Sequence, residues 1–366
     1  VDQDIRNKFQ LIHEFVQAAK ENLKPGPWGY LMGSAETETT FLRNRRALDS
    51  LAFLPRVLID VENINMNSEL FGVPLRLPLI LAPIGSLEDI VEEGGIAPTK
   101  AAAEFGVLHM LSSVATPGLE NVAAAVDYPK LFQLYVRGDP NWVDEVLARA
   151  IEHGYCALCL TVDRAYYGRR ERDVARRFKP TQRGLATGEV HQARFSWKDI
   201  DRIRGKFNVP LILKGISTTA DAKLAIEHGV DCVYVSNHGG RQLDHGVGTI
   251  DILPEIAETV SGEAKIIVDG GILRGTDIVK ALALGADAVG IGRLQGLAAG
   301  AAGADGLIRM LELLEEEMRC CLGLLGVSSL SDLDRNYLTK TEPLFRSGYE
   351  SAFPLLGNNS DFLYRS

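Results

Sequence analysis

From residue 77 onward the chain repeats one pattern eight times: a short apolar run closed by polar residues or glycine, followed by a stretch of helical character. The runs cover 77–83, 107–113, 130–136, 156–163, 209–215, 232–237, 265–271 and 288–293. Their hydrophobicity is continuous, as it is in parallel strands that helices bury on both faces. Between them, 98–105, 141–152, 219–227, 252–260 and 275–284 place apolar residues at helical spacing, and Gly106, Gly154, Gly229 and Gly285 stand where such helices would stop. Eight units favour a closed barrel over an open sheet, and 77–314 is close to the roughly 250 residues such a barrel takes. The predicted fold is therefore α/β, a (β/α)8 TIM barrel in a single domain over 1–366. It comprises an N-terminal helical extension (1–75), the barrel (76–314) and a C-terminal helix and tail (315–366).

The extension is predicted to hold a helix over 4–23, a break at Pro25-Gly26-Pro27 and a second helix over 39–48. Beyond the barrel, 307–325 is apolar at helical spacing. In the tail, Phe345, Tyr349, Phe353, Phe362 and Tyr364 are expected to dock on the barrel or on a neighbouring subunit.

Composition bounds the partners. A chain of 366 residues that is 46% apolar can bury a large core, so disorder as a whole is excluded. Lys plus Arg number 39 against 48 Asp plus Glu, and the net charge of −9 argues against a general nucleic-acid-binding face. A local basic pocket for one small anion stays open. Five irregularly spaced cysteines fit a reducing compartment. No apolar run approaches the roughly 18 residues of a membrane span, and Val1-Asp2-Gln3-Asp4 lacks the order of a signal peptide. A cytoplasmic location with neither membrane nor nucleic-acid partner is expected.

Chemistry in such a barrel belongs at the C-terminal ends of the strands. Those ends carry Gln133 and Tyr135, Thr161 and Asp163, Lys214, then Ser236, Asn237, His238 and Arg241, then Asp269-Gly270-Gly271, and finally Gly290-Ile291-Gly292-Arg293. Cationic side chains, a histidine and an aspartate converging on one rim are costly to desolvate without a ligand, so together they suggest an anionic substrate and acid–base work. Singly each has a structural alternative: a packed histidine for His238, an ion-pair partner for Lys214, a helix cap for Asp163, a plain turn for Gly270-Gly271. Arg241 three residues after His238, with glycines between, favours a site. The glycines after the seventh and eighth runs suit a phosphate, with Arg293 as counter-charge. Cys156 and Cys159 point to opposite faces of one strand, and no histidines pair at metal-ligand spacing, so no metal is expected.

Ser236-Asn237-His238-Gly239-Gly240-Arg241-Gln242-Leu243-Asp244 resembles the active-site signature of the FMN-dependent 2-hydroxy-acid oxidase and dehydrogenase family, which includes glycolate oxidase, lactate oxidase and mandelate dehydrogenase. The resemblance continues through Phe132-Gln133-Leu134-Tyr135, Leu160-Thr161-Val162-Asp163, Gly168-Arg169-Arg170, Leu213-Lys214-Gly215, Asp269-Gly270-Gly271 and Gly292-Arg293, over roughly 30–329. It implies oxidation of an (S)-2-hydroxy acid to the 2-oxo acid, an FMN cofactor, oxygen or another electron acceptor, and a homotetramer. By it, His238 is the base and Asp163 stabilises its protonated form. Arg170 and Arg241 clamp the substrate carboxylate, Tyr30 and Tyr135 bond the carboxylate and hydroxyl, and Lys214 lies beside the flavin. Pro83, Ser112, Gln133, Thr161 and Ser236 line the cofactor, Asp269 meets the ribityl chain, and Gly270, Gly271, Gly292 and Arg293 hold the phosphate.

Several positions depart from the family pattern. Leu273 stands where a phosphate-directed arginine is usual, which implies weak FMN retention. Val114 replaces an aromatic residue of the substrate pocket, Gly29-Tyr30-Leu31 has one tyrosine where two are common, and Val91-Glu92-Glu93-Gly94 replaces His-Pro-Glu-Gly. Two alternatives are a flavin-dependent isomerase acting without net oxidation and a catalytically idle ligand-binding barrel.

Overall fold

The computed structural model describes residues 3–344 and 346–356. Eight parallel strands close into a barrel in sequence order: β1 (Leu79–Leu81), β2 (Leu108–Ser112), β3 (Lys130–Leu134), β4 (Tyr155–Thr161), β5 (Leu211–Ile216), β6 (Cys232–Val235), β7 (Lys265–Val268) and β8 (Ala288–Ile291). The alternation of side chains explains why the runs looked continuous. Ile80, Met110, Leu131, Cys159, Ile212, Tyr234 and Ile267 fill the barrel interior, while Leu79, Leu81, Leu111, Leu158, Leu160, Val233 and Val268 face the surrounding helices. Both faces are dry, so both are apolar. The antiparallel pair Ser68–Leu70 and Val73–Leu75 adds Leu70, Val73 and Leu75 to the interior cluster.

Ser112, Gln133, Thr161 and Lys214 are still strand residues, whereas other polar residues that close the runs lie beyond the strand ends. Tyr135, Asp163 and His238 lie just past the last ladder positions of β3, β4 and β6, on segments free to turn inward.

Three expectations outside the barrel are corrected. The helix expected over 4–23 is two helices, Gln3–Lys8 and Ile12–Asn22, because the Glu14 carboxylate accepts from the backbone N–H groups of Gln10 (2.6 Å) and Leu11 (2.8 Å) and so starts the second afresh. Pro25-Gly26-Pro27 is a helix start: Pro25–Met32 is helical, since its first turn needs no N–H from proline. The helix expected over 307–325 is present, but it is the second part of a span Arg293–Leu325 that non-helical backbone at Ala302 and Gly303 divides, so the boundary expected at 314 falls inside a helix. Among the tail aromatics, Tyr349 packs on Phe41 (5.0 Å between ring centres) and Phe353 on His13 (5.4 Å), both on the chain's own helices. Phe345, Phe362 and Tyr364 lie outside the described residues. Among the described residues no helix is long and apolar enough to cross a membrane, and no cluster suits a metal ion.

Candidate active site

The segment after β6 makes the sharpest turn of the rim. His238, Gly239 and Gly240 all take positive φ (58°, 63° and 76°), and for His238 this left-handed backbone costs about 1–3 kcal/mol. The glycines are required by what passes beside them. A Cβ on Gly239 would lie 2.7 Å from Arg293 Nη1, and one on Gly240 2.6 Å from the backbone nitrogen of Phe41. Asn237 fixes the turn by exchanging amide hydrogen bonds with buried Asn44 (2.9 and 2.8 Å).

The turn presents His238 to a cavity of about 1140 Å³, its open mouth included, at the C-terminal end of the barrel. Its Nδ1 lies 3.0 and 3.2 Å from the two Asp163 oxygens, so Nδ1–H donates and Nε2 keeps its lone pair. Nε2 is 3.1 Å from the Tyr135 hydroxyl. Burial pushes the His238 pKa below its ordinary value, Asp163 raises it, and Lys214 and Arg170 lower it again. The net direction is downward, and the imidazole is neutral at neutral pH. Burial would raise Asp163, but His238 and Lys214 hold it below the usual carboxylate range.

Two guanidiniums converge beside this pair. Arg241 donates through Nη1 to the carbonyls of Tyr30 (2.6 Å) and Gly33 (2.8 Å), and Arg170 donates through Nε to the Arg241 carbonyl (3.4 Å). Among the described residues these contacts leave Arg241 Nη2 and both terminal nitrogens of Arg170 without a protein partner. The Tyr30 ring lies under both, 4.7 Å from the Arg241 guanidinium carbon and 5.7 Å from that of Arg170, and its hydroxyl donates to the Gly85 carbonyl (2.8 Å). Burial and the neighbouring Arg170 push Arg241 down to about 10. Two cations held this close, out of water, suit an anion between them.

The floor is a second polar layer. Lys214 Nζ donates to Ser236 Oγ (3.0 Å) and lies 3.5 Å from Asp269, while Ser236 Oγ donates to Asp269 (2.6 Å). Burial opposes the charge on Lys214, but Asp269 and Asp163 outweigh it and keep the ammonium protonated. Next to it, Ser112 Oγ, Gln133 and Thr161 Oγ1 form a buried chain with links of 2.8 and 2.9 Å. Pro83, Gly270, Gly271, Gly292 and Arg293 complete the wall. Arg293 spends Nη1 on the Gly239 carbonyl and Nη2 on Gly33 and Ser34, and its buried Nε has no partner.

Thus the residues singled out from sequence meet at one cavity or in the layer behind it. Leu273 lines the same wall and is buried, while Arg274 is turned away into an ion pair with Glu317. Asp244, the last residue of the signature, is structural: it accepts from the backbone N–H groups of Thr37 and Thr40 at the start of helix Thr39–Asp49. Sequence reasoning missed Arg137, Arg164, Tyr167, Gln182 and Arg183, which also line the cavity. Arg137 and Arg164 follow Tyr135 and Asp163 closely, so the strand-end rule already pointed at them. Gln182 and Arg183 sit on the short helix Thr181–Gly184, which had no periodic pattern to announce it.

Known proteins match this architecture along nearly its whole length. The family described as FMN-dependent dehydrogenase matches residues 19–340. An L-lactate oxidase of Nostoc sp. is 38% identical, covering 89% of this chain and 97% of its own. A peroxisomal (S)-2-hydroxyacid oxidase of Arabidopsis thaliana is 37% identical, covering 91% and 97%. The crystal structure of mandelate oxidase with (S)-2-phenylpropionate superposes with a TM-score of 0.85 at 35% identity, over 91% of this chain and 99% of that one. The chain therefore belongs to the FMN-dependent dehydrogenase family and is an oxidoreductase with FMN as its cofactor.

Proposed function

We propose that the protein oxidises an (S)-2-hydroxy acid to the 2-oxo acid, with His238 as base, Arg170 and Arg241 on the carboxylate, and Tyr135 on the hydroxyl. The observation that carries this reading is the setting of His238: its Nε2 faces the cavity 3.1 Å from the Tyr135 hydroxyl, its Nδ1–H is anchored on Asp163, and guanidiniums with unpartnered nitrogens line the same cavity. The names of the relatives, a lactate oxidase and a 2-hydroxyacid oxidase, support the substrate class.

The residues present suit FMN. Gly270, Gly271 and Gly292 lie on the cavity wall and add no side chain of their own, Arg293 has an orphaned buried Nε, and the cationic Lys214 stands on the same wall with the Ser112, Gln133 and Thr161 amide-and-hydroxyl chain nearby. When bound, the cofactor accepts the two electrons that the oxidation releases. The protein's own part is to hold the carboxylate so that the hydroxyl lies between Tyr135 and His238, to take a proton at Nε2, and to steady the resulting imidazolium with Asp163. Whichever hydrogen of the substrate leaves first, the imidazole must be neutral beforehand. Oxygen is the electron acceptor that the relatives named as oxidases support. A one-domain, homotetrameric, cytoplasmic enzyme completes the proposal, resting on the family resemblance and the sparse cysteines.

The test is to load the protein with FMN and supply glycolate, (S)-lactate, (S)-mandelate, (S)-malate and (S)-2-hydroxyglutarate in air. Formation of 2-oxo acid in step with oxygen uptake is expected from at least one. A fully loaded protein that forms 2-oxo acid from none would overturn the proposal.

A further inference from the structure

Arg170, Arg241 and Arg293 on the cavity wall already have roles in substrate and cofactor binding, and three more arginines stand there: Arg137, Arg164 and Arg183. They gather around the rings beside the base. The Arg164 guanidinium carbon is 4.6 Å from the centre of the Tyr135 ring and 5.2 Å from that of Tyr167, and that of Arg183 is 4.0 Å from Tyr167. Among the described residues one carboxylate serves this group: Glu189, ion-paired to Arg183 and 3.6 Å from Arg164. Arg137 makes no side-chain hydrogen bond or ion pair among the described residues, and its Nε is buried without a partner. Burial, Arg164 and Arg183 all push its guanidinium below the ordinary arginine value.

Stacking on Tyr167 gives Arg164 and Arg183 a structural reason to be where they are. Among the described residues Arg137 has none of that: it packs on no ring and pairs with no acid. A half-buried cation next to two others, facing a cavity, is an arrangement that an anionic ligand group relieves. The α-carboxylate of a 2-hydroxy acid is already met by Arg170 and Arg241, so the anion must be a different part of the molecule.

We propose that Arg137, Arg164 and Arg183 form a second anion subsite, which selects a 2-hydroxy acid bearing a further carboxylate on its side chain. This inference rests on the proposed 2-hydroxy-acid oxidation and narrows its substrate to a 2-hydroxy dicarboxylic acid. Guanidiniums bind carboxylates through paired N–H groups, and all three line the cavity that holds His238, Arg164 with its guanidinium carbon 4.6 Å from the centre of the Tyr135 ring; side chains with one or two carbons before the second carboxylate sample the shortest reaches to them. Val114, small and on the same cavity wall, leaves room where a larger residue would not.

The test compares chain-matched substrates on the FMN-loaded protein: (S)-malate against (S)-2-hydroxybutyrate, and (S)-2-hydroxyglutarate against (S)-2-hydroxyvalerate. One dicarboxylate should exceed its match in kcat/KM by about tenfold or more, as a charge-assisted contact implies. In Arg137→Met, checked for unchanged flavin absorbance, that ratio should collapse toward one, and Arg137→Lys should restore part of it. Monocarboxylates turned over as well as or better than their matches would overturn the subsite while leaving the proposed oxidation standing. A preference that Arg137→Met does not alter would also overturn it. Turnover of no 2-hydroxy acid at all would remove both readings together.

Discussion

At the scale of single residues, the protonation of His238 decides whether the cavity can act as a base. Its pKa lies below the ordinary histidine value because burial, Lys214 and Arg170 outweigh Asp163. The rate of flavin reduction should therefore rise with pH along a limb centred below about 6.5 and stay flat above it. Asp163→Asn removes the main influence that raises the pKa, so the limb should move further down while the plateau rate falls. A limb centred well above 6.5 in the parent protein would contradict the assignment. Leu273 carries a second prediction. Leu273→Arg should tighten FMN binding about tenfold, the worth of one charge-assisted hydrogen bond, read as the dissociation constant from quenching of flavin fluorescence. An unchanged constant would mean that this wall does not face the phosphate.

Much of this was legible in the chain, because a strand-end position and a polar residue type together name a rim residue. His238, Asp163, Lys214 and Arg241 were found that way. The orientation of Arg293 was not, since its terminal nitrogens are claimed by carbonyls of the distant Gly239 and Gly33, a tertiary fact without local signal.

At the scale of elements, helix Thr39–Asp49 does more than pack. Arg45 reaches from it to the Gly271 carbonyl (2.9 Å) and to buried Asp277 (2.6 Å), whose carboxylate in turn accepts from the N–H groups of Leu273 and Arg274. One guanidinium thus holds the whole turn after β7. Arg45→Met leaves Asp277 charged, buried and short of its cation, which should cost about 3–5 kcal/mol, seen as a lower urea midpoint, and weaken FMN retention. Retained stability and retained FMN would show that the turn holds itself. Helical periodicity revealed this helix but not its task. The Pro25-Gly26-Pro27 motif misled for a physical reason: proline breaks a helix only in its interior, and position along the helix is what the local sequence leaves undefined.

At the scale of the whole molecule, the barrel closes around large side chains that need small neighbours. Tyr234 is fully buried, and a Cβ on Gly290 would lie 2.0 Å from its hydroxyl oxygen. Gly290→Ala should therefore strain the ring of strands from within, costing about 1–3 kcal/mol and lowering Tm. A Tm equal to the parent's would mean the interior yields more easily than its packing implies. Barrel closure itself was legible because eight continuous apolar runs leave no face for solvent. The roof over 164–196 was not, because its helices are short and its contacts, such as Gln182 to Glu88, span distant parts of the chain.

The central claim, that His238 takes the proton when a 2-hydroxy acid is oxidised, is tested most directly by anaerobic single-turnover mixing of FMN-loaded parent and His238→Gln with the best substrate. With flavin binding intact in both, bleaching should be about a thousandfold slower or worse in the variant. Bleaching at the parent's rate would take the base away from His238 and leave the geometry around it without its chemical purpose.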